Sequence, residues 1–234
     1  MQKFSIIIPI FNEEDSISIL LSELYSEFKN KNIEILIIDD GSTDNFKDKL
    51  KSIPSNLKII SHRQNLGKCR AMLTGVKKAK GKLIGVIDGD GQNPPKELKK
   101  LLNFWENINQ KNKRFFLVCG NRKIRQDTLI KKISSKIANY IRKMILRDEC
   151  NDTACALKVF RKIDYLDIHY FKNMHRFLPS LFKMRGGKIF NIQVNDRLRF
   201  GGLSKYNFNN RFWVGIRDLI KVWYLINFSK RRKK

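Results

Sequence analysis

The chain alternates between short, nearly unbroken apolar runs and segments with helical spacing. Phe4–Ile10, Ile33–Ile38, Leu57–Ser61 and Leu83–Ile87 are rich in Ile, Leu and Val. Continuous runs of this kind suit parallel strands covered on both faces. Between them, Glu14–Phe28 sets Ile17, Leu20, Leu21, Leu24 and Phe28 on one helical stripe, and Asp44–Leu50 and Cys69–Ala79 follow as further helices. A helix from about Lys96 to Asn107 leads to a fifth strand at Phe115–Cys119. The alternation predicts an α/β fold with an open, mostly parallel sheet flanked by helices. Ligands of such sheets bind beyond the carboxyl ends of the strands, which places the chemistry at residues 9–14, 39–44, 62–68 and 88–93.

Unusual residues collect at those four places. The first strand ends in PIFNEE (9–14), the second in DDGSTD (39–44), the third in HRQNLGK (62–68) and the fourth in DGDGQ (88–92). Any one of them reads alone as a surface turn, and Asp-Gly-Ser is a common turn and helix start. Four on one sheet edge form a site. Asp88 and Asp90 stand one residue apart and would repel each other unless a cation lies between them and a polyphosphate. Mg²⁺ or Mn²⁺ takes carboxylate and phosphate oxygens together and offsets the charge of a leaving diphosphate. Glycoside hydrolysis, the other common use of paired carboxylates, needs one on each side of the scissile bond, and neighbours on a single turn are poorly placed for that.

Charge changes the picture next. The 234 residues carry a formal net charge of +26, and 42% are hydrophobic. A basic surface attracts nucleic acid, anionic lipid headgroups or phosphorylated substrates, although drift toward Lys, Asn and Ile would also raise the charge. The N-terminal apolar run is short, broken by Pro9 and followed by acids, unlike a signal peptide. No stretch reaches the roughly 18 apolar residues of a membrane span. The most apolar segment, Phe212–Phe228, is interrupted by Arg217, Asp218 and Lys221. A cytosolic chain is expected. Cys69, Cys119, Cys150 and Cys155, with His62, His169 and His175, lack metal-ligand spacing, so reduced structural cysteines are expected.

IIIPIFNEE, IDDGSTD, NLGK and DGDGQNPP, in this order, resemble glycosyltransferase family 2. DTACALKVFRK (152–162), MHRFLPSLFKMRG (174–186) and DRLRFGGLSKY (196–206) resemble its dolichol-phosphate mannosyltransferase branch, whose members move a sugar from a nucleotide sugar to a polyprenyl phosphate. The resemblance spans about residues 4–225. It implies a GT-A type fold over residues 1–208 and a C-terminal aromatic and basic helical segment over 209–234. It also implies roles for single residues. Pro9, Asn12, Glu13, Asp40, Lys68 and Asp88 would bind the nucleotide, with Asp40 on the base or ribose. Asp88, Asp90 and Gln92 would hold Mg²⁺ or Mn²⁺. Asp90, Arg122, Arg199 and Lys205 would act in catalysis, and Arg122, Arg125, Lys132, Ser135 and Ser204 would receive the acceptor phosphate. Two departures stand out: Gly89 and Gly91 replace the family's frequent Ala and Leu, and Cys69 replaces the last Gly of NxGKG. Glycines at 89 and 91 are expected to loosen the turn without removing a ligand.

No convincing general base follows the aspartates; His175 is a candidate whose structural reading is the stronger. A sugar hydroxyl acceptor needs a base, whereas a lipid phosphate is already anionic and needs positioning by Arg and Lys. Within 128–146, Ile130, Ile133, Ile137, Tyr140, Ile141 and Met144 share a helical face, and Lys131, Lys132, Lys136, Arg142 and Lys143 lie elsewhere. Such a helix lies in a bilayer interface or caps a core. Trp213, Trp223, Tyr224 and Phe228, followed by a basic tail, offer a second anchor. The leading expectation is an inverting hexosyl transfer from a nucleotide sugar, GDP-mannose favoured, to undecaprenyl or dolichyl phosphate. It would occur on the inner face of the cytoplasmic membrane, with or without a membrane-spanning partner. The alternatives are transfer to a lipid-linked glycan hydroxyl, or a basic nucleic-acid-binding module, for which no recognised motif appears.

Overall fold

β1 (Phe4–Ile10) and β2 (Ile33–Asp39) are buried along almost their whole length because helices cover both sheet faces. The computed structural model describes residues 4–50, 54–109, 115–123, 139–201 and 208–228, and of 109 and 208–213 the backbone alone. α1 (Glu14–Glu27), β3 (Leu57–Ser61), α2 (Lys68–Lys78), β4 (Leu83–Val86), α3 (Pro95–Asn109) and β5 (Phe116–Arg122) complete the expected alternation. A helix then runs through 139–146 (α4), followed by β6 (Lys158–Arg161), α5 (Lys162–Leu166), α6 (Leu178–Met184), β7 (Lys188–Val194) and α7 (Phe208–Phe228).

The sheet order is β3-β2-β1-β4-β6-β5-β7. β6 alone runs against its neighbours in this sheet, pairing antiparallel with both β4 and β5. The side-chain alternation of β1 divides the core. Ile6, Ile8 and Ile10 pack with Leu20 and Leu24 of α1 and Leu98 and Leu101 of α3. Ile7 faces the other way, with Met72 and Val76 of α2 and Phe160, Tyr165 and Phe182. From β1 the chain steps outward to β2 and β3, then returns to place β4 on the other side of β1. The strand order therefore reverses between β1 and β4, where open α/β sheets leave a crevice for ligands.

Some elements differ from the sequence reading. The helix expected over Asp44–Leu50 is a 3-10 turn at Phe46–Lys49, with Phe46 as its one buried anchor. Neither β6, inside the DTACALKVFRK motif, nor β7, between two of the motifs, is among the strands expected from the sequence. β6 is four residues long and carries Lys158, buried at 3% exposure because its Nζ donates to the Cys155 carbonyl at 2.5 Å. β7 is an edge strand with a half-exposed pattern that lacks a clean apolar run.

The two C-terminal helical segments also changed meaning. Arg142, grouped with the surface cations of the 128–146 helix, is buried. It donates to Asn139, Thr153, Asp148 and the Cys150 carbonyl, and Ser180 donates to the second Asp148 oxygen at 2.6 Å. Tyr140, Ile141, Met144 and Ile145 of the same helix are exposed. Asp218, which looked like an interruption of α7, is a docking contact: it is buried and accepts from Asn173 Nδ2 at 2.9 Å, beside the fully buried Val222. No helix among the described residues is long and apolar enough to cross a membrane.

Removing one partner of a buried ion pair strands the other charge. Arg142→Ala is therefore expected to lower unfolding stability by about 3–5 kcal/mol, measured by urea denaturation. A loss under ~1 kcal/mol would mean that this network does not hold α4.

Candidate active site

The loops after β1, β2, α2's leading turn and β4 are tied into one rim by polar contacts. The loop after β1 is locked to the loop after β2. Asn12 takes a left-handed backbone (φ 54°), which asparagine tolerates, and its amide accepts the Thr43 N–H at 2.7 Å. The Asn12 N–H donates to Ser42 Oγ at 2.9 Å and the Glu14 N–H to Asp44 at 2.9 Å. Ser16, buried in α1, donates to the Gly89 carbonyl at 2.7 Å and pins the turn after β4 from behind.

Asp40 is buried, and its oxygens are engaged inside the protein. They accept the N–H groups of Leu66 (3.0 Å) and Gly67 (2.7 Å) and meet His62 Nδ1 at 2.8 Å. Asp40 thus organises the turn that leads into α2.

That turn delivers Lys68, whose Nζ lies 2.5 and 2.7 Å from the two oxygens of Asp88. Asp90, buried at 7% exposure, accepts the Gln92 N–H on Oδ1 at 3.1 Å and Arg199 Nη2 on Oδ2 at 2.8 Å. Arg199 Nη1 is 3.7 Å from Glu13 Oε1. Burial pushes the Asp90 carboxyl above the usual range and the Asp88 charge adds to this, while the Gln92 amide, Arg199 and Lys68 pull it back. Asp88, Asp90, Glu13, Lys68, Arg199 and the Gln92 backbone are therefore brought together. Pro9 lies on the adjoining end of β1, half-buried and paired with Ile38.

The segment 195–201 lies across the turn like a strap. The Arg197 N–H donates to the Gln92 carbonyl at 3.0 Å and its Nε to the Gly91 carbonyl at 2.6 Å. Its guanidinium also meets both oxygens of Glu23 on α1 and lies 4.2 Å from the Phe200 ring centroid. Gly91 has φ +73°, and a Cβ there would fall 2.2 Å from Phe200. A Cβ at Gly89 would fall 2.4 Å from Ile10. The expected loosening is overturned: the glycines allow a tighter approach than Ala and Leu would.

Arg122, expected in catalysis and at the acceptor phosphate, meets two carboxylates within the protein. Its fork binds both oxygens of Asp152 at 2.6 and 3.0 Å, and Nη1 reaches Asp196 at 3.3 Å. Burial opposes the charge, but the Asp152 bonds and both carboxylates overcome it and hold the pKa above the ordinary arginine value. Asp196 in turn accepts from Asn93 Nδ2 at 2.6 Å. Sequence reasoning missed Asp152, Asp196 and Arg197 as builders of the site. Their one signal was that they fall inside the quoted motifs. His175 meets Cys69 Sγ through Nδ1 at 2.9 Å, and the four cysteines are reduced and buried. Arg125, Lys132, Ser135, Ser204 and Lys205 lie outside the described residues.

The donor set suits a hard cation. Two carboxylates sit on one turn, and among the described residues no group of three or more His, Cys, Asp or Glu forms a closed cage.

Residues 5–168 match the model of the glycosyl transferase family 2. The chain belongs to that family. It is 31% identical over 98% of its length to the dodecaprenyl-phosphate galacturonate synthase of Rhizobium johnstonii, covering 69% of that protein. It is 30% identical over 89% of its length to the undecaprenyl-phosphate 4-deoxy-4-formamido-L-arabinose transferase of Photorhabdus laumondii, covering 64% of it. The chain thus spans about two-thirds of the length of these curated relatives. Among solved structures it resembles glucosyl-3-phosphoglycerate synthase of Mycobacterium tuberculosis in complex with Mg²⁺ and UDP. The TM-score is 0.69 at 13% identity, covering 96% of this chain and 79% of that one. A second complex of the same enzyme, with Mn²⁺, UDP and phosphoglyceric acid, gives 0.68 over 96% and 78%. At this level of identity the likeness shows the GT-A fold alone.

The raised Asp90 pKa has a stability consequence. Its protonated form is favoured more in the folded than in the unfolded chain, so its contribution is greatest below the unfolded pKa and is lost as pH rises through the folded one. Relative to wild type, Asp90→Asn is therefore expected to gain stability as pH rises through the carboxylate range, on top of a pH-independent cost of taking the carboxylate from Arg199. Calorimetry across pH checks this, and a wild-type-to-variant difference that stays constant with pH would contradict it.

Proposed function

We propose that the chain transfers a sugar, with inversion, from a nucleotide diphosphate sugar to a polyprenyl phosphate at a membrane surface. The observation that carries this reading is the Asp88–Asp90 pair at the strand-order reversal, flanked by Lys68 and Arg199. The curated relatives, both named for polyprenyl-phosphate sugar chemistry, support the acceptor class.

Asp88 and Asp90, with Gln92 beside them, would hold Mg²⁺ or Mn²⁺. Such a cation would offset the charge of the leaving diphosphate. Lys68 and Arg199 stand where they could donate to phosphate oxygens. Pro9, Asn12 and Glu13 border the crevice on the β1 side as its nucleotide wall. Asp40 serves by fixing the 62–67 turn behind Lys68, and Arg122 serves by bracing Asp196 at the root of the strap. Arg125, Lys132, Ser135, Ser204 and Lys205 remain our candidates for the acceptor phosphate and, for Lys205, catalysis. A phosphate acceptor needs no base, in keeping with a site whose cations touch its carboxylates directly.

The lipid reading has a surface to match. Tyr140, Ile141, Met144 and Ile145 of α4 and Ile216, Ile220, Trp223, Tyr224 and Phe228 of α7 are exposed. Ile145, Leu219, Ile220 and Trp223 line an apolar hollow of about 260 Å³ between the two helices. On a chain of net charge +26, this fits an anionic membrane surface, which we place at the inner face of the cytoplasmic membrane. Neither relative above is named for mannose, so GDP-mannose loses its favoured place and stands beside UDP-sugars.

The deciding experiment offers radiolabelled GDP-mannose, UDP-glucose, UDP-N-acetylglucosamine and UDP-galacturonate in turn. Each is given with undecaprenyl phosphate and Mg²⁺ or Mn²⁺. Label is expected in the organic phase with one donor. Asp90→Asn should cut the rate by at least about 100-fold, since several kcal/mol of charge stabilisation go with that carboxylate. Faster labelling of a lipid-linked glycan hydroxyl would replace the phosphate acceptor. No transfer from any donor to either acceptor would sink the reading.

A further inference from the structure

The oxygen atoms that a divalent cation would need already hold cations. Lys68 Nζ grips both oxygens of Asp88, and Arg199 Nη2 holds Asp90 Oδ2. These four side chains carry two negative and two positive charges, so each aspartate already has a cationic partner, with Glu13 3.7 Å from Arg199 on its other side. The two cations stand on separate supports. Lys68 opens α2, on a turn fixed by Asp40 through the Leu66 and Gly67 N–H groups. Arg199 belongs to the strap, anchored through Arg197 to Glu23, Gly91 and Gln92. Neither support depends on Asp88 or Asp90 for its own anchoring. The ion pairs are also partly shielded from water, with side-chain exposures of 23% and 29% for Lys68 and Asp88, and 23% and 10% for Arg199 and Asp90.

We propose that Lys68 and Arg199 are internal counter-ions that keep a divalent cation off Asp88 and Asp90 until a nucleotide diphosphate arrives. The proposal rests on the donor reading above. A bare divalent cation must break both ion pairs and leave two positive side chains beside it in a partly desolvated site, where like charges a few ångströms apart cost more than in water. A diphosphate changes the balance. It supplies oxygens to which Lys68 and Arg199 transfer their hydrogen bonds, and it frees the carboxylates in the same event. Cation and nucleotide then bind with positive coupling, and each strengthens the other by the same factor.

The test is the affinity for Mn²⁺, read by electron paramagnetic resonance and calorimetry, with Mn²⁺ alone and with saturating UDP or GDP. For the wild-type chain, the nucleotide that binds should tighten Mn²⁺ binding by about tenfold or more. Arg199→Gln and Lys68→Gln should each tighten binding of Mn²⁺ alone by a comparable factor and shrink the nucleotide's effect accordingly. Arg199→Lys keeps the charge and should stay close to wild type, which a merely structural role for Arg199 would not require. Circular dichroism confirms the fold of each variant, and if one fails to fold the other carries the comparison from the opposite side of the pair. Unchanged affinity for Mn²⁺ alone in the folded Gln variants, with wild-type Mn²⁺ and nucleotide binding intact, overturns the counter-ion role and leaves the donor reading standing. A wild-type chain that binds no nucleotide even with Mn²⁺ overturns both.

Discussion

Two carboxylates one residue apart at the end of a covered strand repel each other and resist burial, and the structure around residues 88–92 answers that constraint. Lys68 takes both oxygens of Asp88, and Arg199 and the Gln92 amide divide those of Asp90. Each answer has a support of its own. Asp40 fixes the turn before Lys68, Arg197 ties the strap to α1, and Ser16 holds the back of the turn. Arg122 joins Asp152 to Asp196 and so roots the strap in the β5–β6 half of the sheet. The buried ion pairs of this region are a scaffold for charge, which an apolar core cannot provide.

Topology explains why the site is here. The reversal of strand order between β1 and β4 leaves their carboxyl ends without a covering connection, and the polar loops 10–14 and 88–92 meet across that gap. The apolar runs of the chain already define that sheet edge.

Much of this was legible in the sequence, for identifiable reasons. Parallel strands covered on both sides must be continuously apolar, so β1 to β5 announced themselves, and the polar stretches after the first four marked the crevice. Long-range pairing was hidden. Nothing in the spacing of Arg122 tells that Asp152 and Asp196 take its donors, or that Asp40 faces inward to Leu66 and Gly67. The motifs marked these residues as important, but not whether they touch a ligand or each other. Periodicity likewise assigned Arg142 to a helix and could not say what covers it. The result is an inverted surface on α4, with its arginine inside and Tyr140, Ile141 and Met144 outside.

Gly91 and Phe200 share one volume, because the ring fills the space that a Cβ at 91 would take. The two positions therefore cannot drift independently. A chain carrying the family's leucine at 91 must give up the ring at 200 and also draw the backbone out of its left-handed conformation. A single exchange at 91 passes through a clash, and one at 200 through an emptied contact over the 88–92 turn. Ancestral reconstruction or library design that varies these sites one at a time would misjudge both, whereas treating them as one unit opens the route between the two forms of the turn.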